Sequence, residues 1–193
     1  MKFPDLSING LIAYWKMDEG VGTSIANGSI NNNPGTLSGA TWAAGKLLGN
    51  GVSFDGVNDV VTVTNNANLN FGSGDFTIAL WFNGNSENGD MVAKMSTSAP
   101  ISGWSVGTNI GDVQLFVQDD EGDQNTFSSG TLGADRWRFY ACFRVGSDWT
   151  YVVDNTDPIT ASDTFVGTLS NVGNLTMGFN ISGISDYYNG VVD

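Results

Sequence analysis

The chain has 193 residues and is 40% hydrophobic, with 6 Trp and 11 Phe, which suits one all-β domain with a full core and excludes an acidic disordered segment. Its 20 acidic and 7 basic residues leave a formal charge of −13, a field that repels phosphate backbones and anionic headgroups, so nucleic acid and membrane surfaces are poor partners. The single cysteine, Cys142, excludes an intrachain disulfide, and the lack of histidine removes the usual serine and cysteine triads, histidine-based zinc and imidazole acid–base work.

Residues 1 to 10 read as an arm or linker with Pro4 and a terminal Asn9–Gly10. They lack the apolar centre of a secretory signal, and no apolar run approaches the ~20 residues of a membrane span. Such a start fits a virion component released by lysis, a part cut from a larger protein, or a cytoplasmic protein. Leu11 to Met17 reads as the first strand and stops at Asp18–Glu19–Gly20. The next thirty residues read as loop, with a turn at Pro34–Gly35 and Trp42 as a plug at the sandwich edge. Gly51 to Phe82 is the organising stretch. It climbs as a strand, breaks at Asp55–Gly56, restarts at Asp59, and leads to a strand whose Phe76, Ile78, Leu80 and Phe82 share one face. Asp55, Gly56, Asn58 and Asp59 fall in one short turn, where their oxygens either hold a hard cation or cap the turn.

Met91 to Met95 and Trp104 to Gly107 follow as strands. Asp112 to Gln118 alternates, with Val113, Leu115 and Val117 facing one way and Gln114, Phe116 and Gln118 the other. The run DDEGDQN from Asp119 to Asn125 reads as an acidic hairpin tip, solvated or holding a cation. In Arg136 to Val145, Trp137, Phe139, Ala141, Phe143 and Val145 lie on one face, and Arg138, Tyr140, Cys142 and Arg144 on the other. Gly146–Ser147 turns this strand into Asp148 to Asp154, a hairpin. Gly167 to Gly178 and Tyr187 to Asp193 supply the last strands. No long segment shows a period of ~3.6 residues; short strands between Gly, Asn, Ser and Asp clusters make the fold all-β, an antiparallel sandwich or jelly roll.

Five blocks carry a resemblance to a known group: LIAYWKMDEGVGTSIANGS, GTLSGATWAAGKLLGNGVSFDGVNDVVTV, DFTIALWF, RWRFYACFRVGSDWTYVVDNT and LTMGFNISGISDYYNGVVD. In this order they resemble the laminin-G-like, concanavalin A-like jelly rolls, including pentraxin-related modules of bacterial and phage proteins, over residues 11 to 193. The resemblance implies a further strand after the final Gly-x-x-Asp. The chain given ends at Asp193, so the expectation is a fragment, or a last sheet position filled by another chain, a second copy included.

Because that fold is shared with certain glucanases, paired carboxylates matter. Their Glu-x-Asp-x-x-Glu strand, with a retaining pair ~5 Å apart, has no match here. Calcium is the chemistry the resemblance favours, since the loops are rich in carboxylates, amides and carbonyls. Matching by position implies one ligand set of Glu87, Asn88 and Asp90 with Asn180, Ser182 and Asp186. The resemblance also implies a second, structural site that joins Asp18 to Asp193 with Asp55 nearby. For sugar, which needs aromatics beside polar groups, the candidates are Tyr140 between Arg138 and Arg144, the Tyr187–Tyr188 pair, and Trp104, expected to be exposed after a Pro/Gly-rich loop. The leading expectation is a non-catalytic glycan-binding or adhesion module on a virion or other extracellular assembly. A structural decoration protein making protein–protein contacts and a glucan hydrolase are the rivals.

Overall fold

The computed structural model describes residues 10–46, 49–84, 88–133, 136–163, 167–179 and 187–193. In chain order its strands are β1 (Ser24–Ile25), β2 (Gly35–Ser38), β3 (Thr41–Ala44), β4 (Asn50–Asp55), β5 (Val60–Val63), β6 (Phe76–Gly84), β7 (Gly89–Met95) and β8 (Gly103–Asn109). They continue with β9 (Asp112–Gln118), β10 (Gln124–Thr131), β11 (Arg138–Val145), β12 (Asp148–Val153), β13 (Ile159–Ser162), β14 (Leu175–Met177) and β15 (Asn189–Val192). One 3-10 turn, Ala67–Leu69, is capped by the Asn66 side chain. The strands form two antiparallel sheets, an 8-stranded one in the order β1-β2-β5-β14-β7-β8-β9-β10 and a 7-stranded one in the order β13-β12-β11-β6-β15-β4-β3. This is an all-β antiparallel sandwich.

The break at Asp55–Gly56 divides the two layers, because β4 belongs to the seven-stranded sheet and β5 to the eight-stranded one. The turn closes on its own acids. Asp55 Oδ1 accepts from Val57 N at 2.8 Å, and Asp59 Oδ2 accepts from Asp55 N at 2.9 Å. These bonds cap the corner where the chain changes sheets.

Between the sheets, Val61, Val63, Leu115, Val106 and Val52 are fully buried, and aromatic rings fill one end of the layer. Phe71 stacks on Phe76 at 4.2 Å and on Trp104 at 5.8 Å, while Phe76 and Phe127 contact Trp149 at 5.5 and 5.7 Å. Ring pairs at these separations add ~0.5–1.5 kcal/mol beyond area burial.

Leu11 to Met17 is not a ladder strand: its only bridge among the described residues joins Trp15 to Asn27. Loop side chains take its backbone groups instead. Tyr14 N donates to Asn27 Oδ1, while Ile12 O accepts from Ser29 Oγ and Asn31 Nδ2. The loop-like stretch after Gly20 contains three short strands, and Gly167 to Gly178 contributes only Leu175–Met177. Near Asp193 the described strands are paired on both sides. β15 pairs with β4 on one side and β6 on the other, and Asp193 exchanges backbone hydrogen bonds with Trp81, so the sheet edges are β3 and β13.

On β11 the polar face lies inside. Arg138, Tyr140, Cys142 and Arg144 are buried, whereas Phe143 is 36% and Val145 60% exposed. The interior manages the charges by local partners. Arg138 pairs with Asp154 at 3.0 Å; Arg144 donates to Gly146 O at 3.0 Å and lies 5.4 Å from the Trp149 ring centre.

Candidate functional site

Outward from the eight-stranded sheet, β7, β8, β9 and β10 carry a groove of about 530 Å³. Its chemistry follows from strand alternation. With Val113, Leu115 and Val117 buried between the sheets, Gln114, Phe116 and Gln118 must face away from the core. Register then aligns the floor: Gln118 sits opposite Gly103, Phe116 opposite Ser105 and Gln114 opposite Gly107 on β8. These small neighbours leave the Phe116 ring half-buried yet open to the groove. Gly107 is obligatory there, since a Cβ would stand 2.6 Å from Gly89 O and 2.9 Å from Asp90 Oδ1.

Amides line both ends. At one, Asn109 Nδ2 donates to Gln114 Oε1 at 3.4 Å and Asn88 Oδ1 accepts from Ile110 N at 3.1 Å. The second bond holds a costly turn, because Ile110 has φ of 47°, a left-handed conformation that a branched side chain disfavours. At the other end Gln124 on β10 pairs with Gln118. Asp90 also lines the groove, and among the described residues no Lys or Arg does. An aromatic face amid paired donors and acceptors suits a ligand with apolar ring faces and hydroxyl edges.

The residues expected to contact sugar stand elsewhere. Trp104 is 3% exposed within the aromatic core, and its neighbour Ser105, not Trp104, faces the groove. Arg138, Tyr140 and Arg144 lie on the inner face of β11, and Tyr188 is buried against Phe54. Burial pushes the Tyr140 and Tyr188 hydroxyls well above the ordinary phenol range. Only Tyr187 remains partly exposed, stacked on Phe179 at 4.5 Å. Its carbonyl lies 2.8 Å from where a Gly89 Cβ would stand, which puts it beside the groove rim.

Of the first implied calcium set, Asn88 and Asp90 line the groove, while Glu87, Asn180, Ser182 and Asp186 lie outside the described residues. The second set is only half assembled. Asp18 Oδ1 accepts from Asn50 N, and Asp193 Oδ2 from Lys46 N at 2.7 Å, so both carboxylates serve the β3–β4 hairpin. Asp55 is at the far end of β4, opposite Asn189 and five residues from Asn50, roughly 17 Å along a strand. It cannot share an ion with them. Lys16 pairs with Asp18 and holds its carboxyl below the ordinary value, so a cation entering there must displace an ammonium. Among the described residues no group of three or more His, Cys, Asp or Glu is placed to hold a metal.

The acidic tip is likewise a cap. Asp119 is fully buried, its carboxylate accepting from Glu121 N, Asp123 N and Gly167 N, and Asp120 accepts from Thr168 N. Backbone donors hold the Asp119 and Asp120 carboxylates, while Asp120, Glu121 and Asp123 stay exposed to solvent.

A buried lysine braces the groove from one side. Lys94 on β7 donates to Asn171 O, Asn171 Oδ1 and Gly173 O at 3.1, 2.9 and 2.7 Å, and burial lowers its pKa to about 8. The Asn171 amide returns to Lys94 O and Ser102 O, tying the end of β7 to the start of β8. The groove residues were present in the sequence as the Gln114–Phe116–Gln118 alternation. Nothing in one strand shows that its neighbour opposes Ser and Gly.

No family model and no curated protein matches the sequence. Solved structures do match in fold. The binding domain of Paraclostridial Mosquitocidal Protein 1 superposes with a TM-score of 0.68 at 17% identity, covering 92% of this chain and 48% of that one. Domain 4 of AbnA, a GH43 extracellular arabinanase from Geobacillus stearothermophilus solved with arabinotriose, gives 0.67 at 11% identity, covering 94% and 87%. The botulinum neurotoxin serotype G binding domain gives 0.67 at 8% identity, covering 88% and 45%. The chain spans about half the length of these two binding domains, the first and the third.

Proposed function

We propose that this protein is a non-catalytic carbohydrate-binding module and that the groove around Phe116 is its site. The observation carrying this reading is a half-buried aromatic face between amide side chains over a floor of Ser105 and Gly107. The fold neighbours support it as analogy, since two are binding domains and the third was solved with arabinotriose. The laminin-G-like resemblance adds calcium at Asn88 and Asp90, together with Glu87, Asn180 and Asp186, as part of the same proposal. A glycan array run with calcium and with chelator tests both parts. The reading predicts binders that Phe116→Ala loses while keeping its unfolding midpoint. No binder in either condition would overturn it.

A second reading, a structural assembly protein displayed on a virion or another extracellular particle, is favoured by the outer face of the seven-stranded sheet. There Trp81 packs on Phe139 at 5.2 Å, Phe143 and Val145 are exposed, and Lys46 lies 5.2 Å from the Trp81 ring centre. Exposed apolar residues gathered on one sheet face suit a protein partner, a second copy of the chain included. Light scattering at high concentration tests self-association: this reading predicts that Phe143→Ser shifts the mass, and an unchanged monomer counts against a homo-oligomer.

A further inference from the structure

The groove's polar groups fall into two clusters along β9, one on each side of the aromatic ring. Asn88, Asn109 and Gln114 form the first, joined by the Asn109–Gln114 bond; Gln118 and Gln124 form the second as cross-strand partners. Gln114 and Gln118 are four positions apart, roughly 14 Å along a strand, with Phe116 midway. A single sugar ring on Phe116 leaves both clusters beyond its edge. A linear chain lying along β9 reaches both.

Charge limits what that chain carries. Among the described residues the groove's only ionisable lining residue is an acid, Asp90, and Asp112 begins strand β9. The six basic residues among the described ones do not line it. Lys94, Arg138 and Arg144 are buried in other contacts; Lys46 packs on Trp81, Arg136 lies beside Asp154 and Lys16 pairs with Asp18. With no ion bound at Asp90, a carboxylate or sulfate on the ligand would meet no cationic side chain among the described residues and would face the field of a chain carrying −13. Primary amides both donate and accept, as hydroxyls do, whereas an ammonium ligand only donates.

Resting on the carbohydrate-binding reading above, we infer that the groove takes an uncharged, linear oligosaccharide. One ring stacks on Phe116, the rings on either side reach the two amide clusters, and uronate- or sulfate-bearing chains are rejected.

The test is calorimetric titration of the full chain, in chelator, with two series. One is linear arabino-, xylo- and cello-oligosaccharides of increasing length. The other is oligogalacturonates as free acids and as their methyl esters, in which the backbone stays and the charge goes. Expected are affinities that climb until the ligand is long enough to flank a central ring on both sides and then level off. They should be insensitive to ionic strength, and at matched length the ester should bind better than the acid. Gln114→Ala and Gln118→Ala should each weaken the longer ligands about five-fold, the loss of about one hydrogen bond, and leave the shortest ones unchanged. Acid binding as well as ester, affinity falling with salt, or no dependence on length would overturn this inference while leaving carbohydrate binding in place. No binding by any member of the series, or of a wider neutral glycan array, would overturn both.

Discussion

Replacing Asn171 by alanine tests how the floor of the groove is held. The side-chain amide donates to Lys94 O, Ser102 O and Leu169 O at 3.1, 3.0 and 3.2 Å, and Oδ1 accepts from Lys94 Nζ and Gly173 N at 2.9 and 3.0 Å. Two N–H groups shared among three carbonyls, plus two accepted bonds, amount to four hydrogen bonds. At about 1 kcal/mol net for each, Asn171→Ala should cost about 4 kcal/mol, a large share of the 5–15 kcal/mol typical of a domain. Lys94 keeps two backbone acceptors, Asn171 O and Gly173 O, so its ammonium is not stranded and the loss should stay near that figure. Urea unfolding followed by tryptophan fluorescence measures it, Trp104 lying next to the affected strand end. Asn171→Asp is the control, because it keeps an acceptor for Lys94 while losing all the donors, and should fall between wild type and alanine. A loss under about 1 kcal/mol for the alanine variant would refute the brace.

Three further expectations follow from burial and close approach. Burial lowers Lys94 to about 8 and raises Cys142 to about 12, and it lifts Tyr140 and Tyr188 above their ordinary 10.0. From about pH 8 to 9 the unfolded chain therefore keeps a Lys94 proton that the folded chain sheds, and stability should rise by about 1 kcal/mol. From about 9 to 10 the thiol cancels that gain; above about 10.5 the thiol and the two phenols together remove about 4 kcal/mol per pH unit. Urea titrations at stepped pH read this profile, and a rise between pH 8 and 9 that persists in Lys94→Met would contradict it. The inverted face of β11 predicts that Val145→Ser changes unfolding free energy by under about 0.5 kcal/mol, while Tyr140→Ala costs about 3–5 kcal/mol; calorimetric melting of both variants checks the order. Gly107→Ala places a methyl against Gly89 O and Asp90 Oδ1. It should therefore weaken ligand binding by at least as much as Phe116→Ala, measured by titration of variants that remain folded, and wild-type affinity would remove Gly107 from the floor.

Alternation made the layers legible. Phe76, Ile78, Leu80 and Phe82 do share the inner face of β6, and Gly146–Ser147 does turn β11 into β12, with φ of 59° at Gly146. What alternation cannot assign is which face looks inward when both are amphipathic. On β11 the apolar set Phe139, Phe143 and Val145 faces outward. The long side chains of Arg138 and Arg144 are instead accommodated by Asp154, Gly146 O and the Trp149 ring. That inversion removed Arg138, Tyr140 and Arg144 from any surface site. Trp104 failed for a related reason: the Ala99–Gly103 loop in front of it does not expose it, because strand parity turns it toward Phe71 and Phe76. The resemblance implies Asp18 and Asp193 as cation ligands, and turn composition suggests Asp55 and Asp119, yet each carboxylate accepts from backbone amides of a turn or hairpin. The groove depends on register across four strands, which no local pattern encodes.

The most direct measurement is a two-dimensional NMR titration of the isotopically labelled full chain with a neutral oligosaccharide taken from the array. The account predicts shifts concentrated in the side-chain amides of Gln114, Gln118 and Gln124 and the backbone of Phe116, with Trp81 and Phe139 unmoved. Shifts confined to the Trp81–Phe139 face at saturating ligand would contradict it.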